Sequence, residues 1–151
     1  MAGPIVLATS VDAVLAYPEV LLDEVFGPVT LLVRYESLDQ VIDALRAAPG
    51  SLTTTVHAEE GEDVRGLVDE MTEVSGRVLY GGWPTGVAVS WAQNHGGPYP
   101  ASTSLHSSVG TTAIRRFLRP VAFQTMPDAL LPEALKEDNP LGIPRRVDGQ
   151  H

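Results

Sequence analysis

A chain of 151 residues is the size of one ordinary domain, and 44% apolar residues are enough for a real core, which excludes a disordered chain. The formal net charge of −9 and pI near 4.7 leave no basic face for phosphate, so neither nucleic acid nor an anionic membrane surface is expected as a partner. With no cysteine, a disulfide scaffold, a thiolate metal site and a cysteine nucleophile are all excluded within these residues. There is no run of 18 apolar residues, and Met1-Ala2-Gly3-Pro4 carries no basic stretch of a signal peptide. A cytoplasmic protein is therefore the expectation.

In chain order, Ile5–Ala8 reads as a short strand. Ser10 or Asp12 is placed to cap a short helix through Tyr17, which Pro18 ends. Gly27-Pro28 marks a turn into Val29–Val33, a continuous apolar run that predicts a strand buried on both faces. Ser37-Leu-Asp-Gln40 has the form of a capping box, followed by Leu38, Val41, Ile42 and Leu45 at helical spacing, with Pro49-Gly50 as the stop. Leu52–Val56 is the next expected strand. From Glu62 to Val74 the spacing predicts a helix with the stripe Val64, Leu67, Val68, Met71 and Val74. The seven acidic residues between Glu59 and Glu73 mark its solvated side, and Gly76 is placed to cap its end. Arg77–Tyr80 is the third short strand. Residues 28–81 thus read β-α-β-α-β, an α/β arrangement implying right-handed crossovers and a three-layer parallel sheet. Ala113–Leu118 suits a short helix and Pro120–Gln124 a strand. Beyond them lies a tail with Pro127, Pro132, Pro140 and Pro144 and one helical turn near residues 130–135.

The most distinctive stretch is Val78–Ile114, which runs 37 residues without one Asp, Glu, Lys or Arg. It holds Trp83, Trp91, Tyr80, Tyr99, His95 and His106 among many Gly, Pro, Ser and Asn residues. Two readings stay open: a strand and loop buried under neighbouring protein, or the lining of a small-molecule site. No metal site is expected, since none of His57, His95, His106 and His151 pairs at i, i+3 or i, i+4. Ser102, Ser104, Ser107 and Ser108 surround His106, but no G-x-S-x-G elbow exists, and a serine-rich loop satisfying its own backbone is the simpler reading. Gly81–Gly86 lacks the lysine of a phosphate loop. Glu24-Val-Phe-Gly-Pro28 sets a carboxylate able to accept two ribose hydroxyls two positions from a phenyl ring, although a Phe at such a place most often serves the core.

Glu24-Val25-Phe26-Gly27-Pro28, followed by an apolar strand, resembles the E-x-F-G-P motif of NAD(P)-dependent aldehyde dehydrogenases. Val78–Thr125 is similar, more specifically, to the α-ketoglutarate semialdehyde (2,5-dioxovalerate) branch of that family. The resemblance runs from about Pro4 to Val147 and covers the C-terminal third of such an enzyme. It implies part of a catalytic domain over residues 1–119, and over residues 120–151 a final strand and tail used in oligomer contacts. It also implies that the Rossmann-like cofactor domain, the catalytic cysteine and the general-base glutamate belong to a part outside these residues, so that this chain holds no catalytic residue. By the same resemblance Glu24 would hold the nicotinamide ribose of NADP or NAD, and Phe26 would pack near the nicotinamide. Trp91, His95 and Tyr99 would line the substrate pocket, where Gly96-Gly97-Pro98-Tyr99 departs from the family's usual P-F-G-G.

Three roles follow as expectations. The chain is the C-terminal portion of a semialdehyde dehydrogenase, inactive alone. Or it is a stand-alone noncatalytic binding or assembly module. Or it is one subunit of a split dehydrogenase whose other chain supplies the cysteine and the cofactor domain. A homo-oligomer, or assembly with a missing cofactor-domain chain, is expected, with a small-molecule aldehyde as substrate.

Overall fold

The computed structural model describes residues 3–150; Met1, Ala2 and His151, the last of the four histidines weighed above, lie outside them. By internal contacts the chain divides into two units, Met1–Phe117 and Leu118–His151.

In the first unit the local signals fold as their chemistry dictates. Strand β1 spans Ile5–Ser10 and helix α1 spans Val11–Ala16, with the Ser10 hydroxyl accepting from the Ala13 N–H at 3.3 Å. Pro18 opens the one-turn α2, Pro18–Leu21, where a missing N–H costs nothing. Strand β2 follows at Val29–Arg34 and helix α3 at Leu38–Ala47. The Ser37 hydroxyl caps α3 through the Gln40 N–H at 3.4 Å, while the Gln40 side chain reaches back to the Glu36 N–H at 2.8 Å. Strand β3 is only Thr54–Val56, helix α4 is Arg65–Val74, and strand β4 is Val78–Tyr80.

Helix α4 starts three residues later than its pattern suggests. The Glu62 carboxylate accepts from the Glu59 N–H at 2.7 Å, and the Glu62 N–H donates to the Glu59 carbonyl at 3.2 Å, closing a separate turn beside Gly61 (φ 91). The exposed Asp63 then pairs with Arg65 at 2.6 Å, and that hydrogen bond holds its carboxyl below the usual value. Most of the acidic run is solvated as expected. Glu70 is the exception: it is half-buried and ties α4 to α3 through Arg46 at 2.9 Å.

The sheet departs from expectation. β1 pairs with β2 in parallel, Ile5 opposite Val29 through Ser10 opposite Arg34, and β3 pairs with β4, Thr54 opposite Val78 through Val56 opposite Tyr80. No ladder joins the pairs, so two two-stranded sheets stand where one parallel sheet is expected. β2 is not buried on both faces either; Val29, Leu31 and Val33 are half-buried while Thr30, Leu32 and Arg34 are exposed. Helix α3 touches α1 on one flank and α4 on the other, making a continuous helical layer. The core has two parts. Val11 and Val14 are buried on α1, and Val56, Leu67 and Met71 form a cluster flanked by Val41, Ile42, Leu45, Val64, Val68 and Val78.

Gly76 has a role other than the expected cap. Ser75 ends α4 in extended conformation, and its buried hydroxyl bonds the Met71 carbonyl at 2.8 Å and the Thr54 hydroxyl at 2.8 Å. Gly76 instead lets another backbone come close: a Cβ there would fall 1.7 Å from the Gly96 carbonyl oxygen.

After β4 the chain is irregular up to a 3₁₀ turn at Ala113–Phe117. In the second unit, residues 120–124 do not form the expected strand; Pro120 lacks a donor, and no described residue offers them a ladder. Short 3₁₀ turns occupy Asp128–Leu130 and Glu133–Leu135, and the Arg145 guanidinium donates to the Lys136 and Glu137 carbonyls. Among the described residues no helix is long and apolar enough to cross a membrane.

Candidate functional site

The uncharged stretch is anchored by close backbone approaches and by the Arg77 guanidinium, which donates to the Thr85 carbonyl at 3.0 Å. Residues 96–98 lie so close to the starts of β3 and β4 that a Cβ on Gly97 would meet the Ser51 carbonyl at 2.2 Å, and one on Gly50 the Pro98 carbonyl at 2.5 Å. The Asn94 side chain donates to the Gly76 carbonyl at 2.9 Å. Serine hydroxyls close the loop on itself. Ser107 accepts from the His95 N–H at 2.7 Å and the Val109 N–H at 3.2 Å, and Ser104 from the His106 N–H at 3.1 Å. Ser102 accepts from the Gly97 N–H at 2.8 Å and donates to the Gly97 carbonyl at 2.7 Å. Those three hydroxyls serve the backbone, as a loop without regular structure requires.

This packing creates two adjoining clefts that share Leu52, Pro100 and Ala101 as a ridge. The first, about 1050 Å³, has Glu19, Asp23 and Glu24 on its wall together with Ala47–Thr53. The second, about 440 Å³, is lined by His95, His106, Arg116 and the hydroxyl residues Ser102, Thr103, Ser104 and Ser108, with no carboxylate. One hollow is therefore acidic and its neighbour basic. The acidic side can accept hydrogen bonds from sugar hydroxyls; the basic side can receive an anion.

Of the expected site residues, Glu24 lines the first cleft and His95 the second, so the fold brings them to adjoining clefts. The Glu24 N–H donates to the Asp23 carboxylate at 3.1 Å, while its own carboxylate has no hydrogen bond or ion pair among the described residues, which leaves it open to a ligand. Phe26, Trp91 and Tyr99 line neither cleft and are 93%, 80% and 82% exposed. His106 and Arg116 were not singled out as ligand residues by the sequence. The available signal was the position of Arg115-Arg116 immediately after 37 uncharged residues.

No protein-family model matches the chain. It is 50% identical over 130 residues, 84% of its length, to α-ketoglutaric semialdehyde dehydrogenase 2 of Azospirillum brasilense. It is 46% identical over 129 residues, 83% of its length, to α-ketoglutaric semialdehyde dehydrogenase of Acinetobacter baylyi. The chain is a relative of the C-terminal part of the α-ketoglutaric semialdehyde dehydrogenases. It spans 25% and 24% of those two proteins' lengths, a quarter where a third was expected. The dehydrogenase resemblance read from Glu24–Pro28 and from Val78–Thr125 is thereby supported at the level of the family.

Proposed function

We propose that this chain forms one wall of the active site of an NAD(P)-dependent dehydrogenase that oxidises a semialdehyde of the 2,5-dioxovalerate type to the acid. The observation that carries the reading is the pair of adjoining clefts, one bearing the unengaged Glu24 carboxylate and the other His95, His106 and Arg116, in a relative of such dehydrogenases. A substrate of this type carries an aldehyde at one end and a carboxylate at the other. Arg116 and the two imidazoles suit the carboxylate end, and the ridge Pro100-Ala101 lies between that end and Glu24. Glu24 fits the ribose hydroxyls of NADP or NAD, and Phe26, exposed beside it in sequence, has a free face for a planar ring. Bound nicotinamide supplies the hydride acceptor. The chain's own residues hold and orient: Glu24 fixes the ribose, Arg116 fixes the acid end, and the irregular wall from Trp91 to Tyr99 excludes water once covered.

The chain has no cysteine, so the nucleophile characteristic of these enzymes has to come from polypeptide outside these residues. The isolated chain is expected to give no NADH or NADPH from 2,5-dioxovalerate with either NAD⁺ or NADP⁺. Turnover by the pure chain, followed at 340 nm, overturns the reading.

The tail takes part in assembly. No apolar side chain of residues 118–150 is buried, and Val121, Phe123, Met126 and Leu130 are all exposed. Such a surface suits contact with a second copy. Light scattering should find dimers or larger, and a strictly monomeric chain at high concentration removes this part of the proposal.

A further inference from the structure

The basic cleft is rich in hydrogen-bond donors that nothing in the chain uses. Arg116 lines it without a hydrogen bond or ion pair to any described residue, and its guanidinium lies 5.7 Å from the centre of the Phe117 ring. Arg46, Arg65 and Arg77 are each engaged, by Glu70, Asp63 and the Thr85 carbonyl in turn. In a chain with 19 acidic against 10 basic residues, a guanidinium left without a carboxylate is available to an external anion.

Four hydroxyl residues share the cleft, and their protons are not equivalent. The Ser102 hydroxyl accepts from the Gly97 N–H and donates to the Gly97 carbonyl, so its proton is spent. Thr103 and Ser108 make no side-chain hydrogen bond with described residues, and no bond orients them. Ser104 differs from all three. Its oxygen accepts from the His106 N–H at 3.1 Å, which fixes the oxygen in place, and its O–H proton has no acceptor among the described residues. One anchored, unused donor and one unpaired guanidinium thus line the same hollow of about 440 Å³, which holds no carboxylate of its own.

A simple carboxylate needs only the guanidinium. A 2-oxo acid carries one acceptor more, the keto oxygen next to the carboxylate. We propose that Arg116 and Ser104 together read a 2-oxo acid group, Arg116 taking the carboxylate and Ser104 donating to the keto oxygen, so that this chain selects 2-oxo acids over plain ones. The inference deepens the function proposed above and rests on it for the end of the substrate that enters this cleft. A semialdehyde of the 2,5-dioxovalerate type has a 2-oxo group at its acid end, and Ser104 becomes a residue that distinguishes it from a semialdehyde without one. The selection arises because a ligand with a methylene in place of the keto group leaves the Ser104 donor without its partner. Ser104 is exposed, so water takes up part of that loss and the preference stays modest.

The test compares 2-oxovalerate with valerate, which differ only at that carbon, by NMR titration of the 151-residue chain. 2-Oxovalerate should bind about threefold to tenfold more tightly. In Ser104→Ala the ratio of the two affinities should fall to about one, and in Ser104→Thr, which keeps the hydroxyl, it should return. Arg116→Gln should weaken both acids by about tenfold or more. Equal binding of the two acids overturns the inference, and so does a preference that survives Ser104→Ala. If the acids bind equally and Arg116→Gln weakens both, Arg116 keeps its place at the acid end and only the reading of the keto group falls. If neither acid binds, the inference and the acid-end role of Arg116 fall together, while membership of the dehydrogenase family, which rests on sequence identity, stands.

Discussion

Replacing Met71 by alanine should destabilise the chain by about 2–5 kcal/mol, the range for emptying a buried methionine site. Met71 is 2% exposed and sits with Val56 and Leu67 at the junction of α3, α4, β3 and β4. Truncation removes side-chain contacts from several directions, and a cluster with three buried members has few others to compensate. A domain of this size has about 5–15 kcal/mol in total, so the loss is a large fraction. Met71→Leu conserves volume and should cost less than about 1.5 kcal/mol. Urea unfolding followed by circular dichroism measures both. An alanine variant within about 0.5 kcal/mol of the parent would mean that this cluster is not what holds α4 to the strands.

The second large effect belongs to the clefts and is read in the complete, reconstituted dehydrogenase. Glu24→Gln keeps the shape but removes the charge, leaving a weaker acceptor for two ribose hydroxyls. Loss of charge-assisted hydrogen bonds of about 1.5–3 kcal/mol corresponds to roughly a 10- to 150-fold fall in kcat/KM for the nucleotide. Arg116→Gln should act on the other substrate, raising KM for the aldehyde by a similar factor and leaving the nucleotide KM within about twofold. The two variants thus separate the acidic hollow from the basic one. Equal effects of both substitutions on both substrates would show that the clefts do not divide the ligands in this way.

Local chemistry in this chain was legible from the residues alone. Ser10 and Ser37 cap the helices they precede, Pro18 ends one helix and opens the next, and the stripe from Val64 to Met71 faces the core. These outcomes depend on neighbours three or four positions away. Gly76 shows the limit. Its need for a bare Cα comes from the Gly96 carbonyl, twenty positions on, and nothing near residue 76 announces it. Strand pairing was legible only in part. The runs Ile5–Ala8 and Val29–Val33 read correctly as strands, but the continuous apolar pattern of β2 describes a strand enclosed on both faces, and the described residues enclose neither face fully. Phe26, Trp91 and Tyr99 lie open, and residues 120–124 have no ladder among the described residues. Glu24 and His95, which sit in distinctive local patterns, each line one of the clefts. Arg116 had only its position just after the uncharged stretch as a signal, because its place beside the Ser102–Ser104 segment depends on the course of the whole loop.

The exposed edges of β1 and β4 and the open faces of Ile5, Val6 and Leu7 have a colloidal consequence. Unpaired strands of this composition recruit other strands, and what opposes them is the chain's own charge of −9, much of it on the acidic run from Glu59 to Glu73. Mutual repulsion of like-charged copies keeps the edges apart near neutral pH, and raising the ionic strength shortens its reach. As the pH falls toward the pI near 4.7 the repulsion vanishes while the sticky edges remain. The acidic run leading into and along α4 is in this sense a solubility tag that the sequence carries for itself.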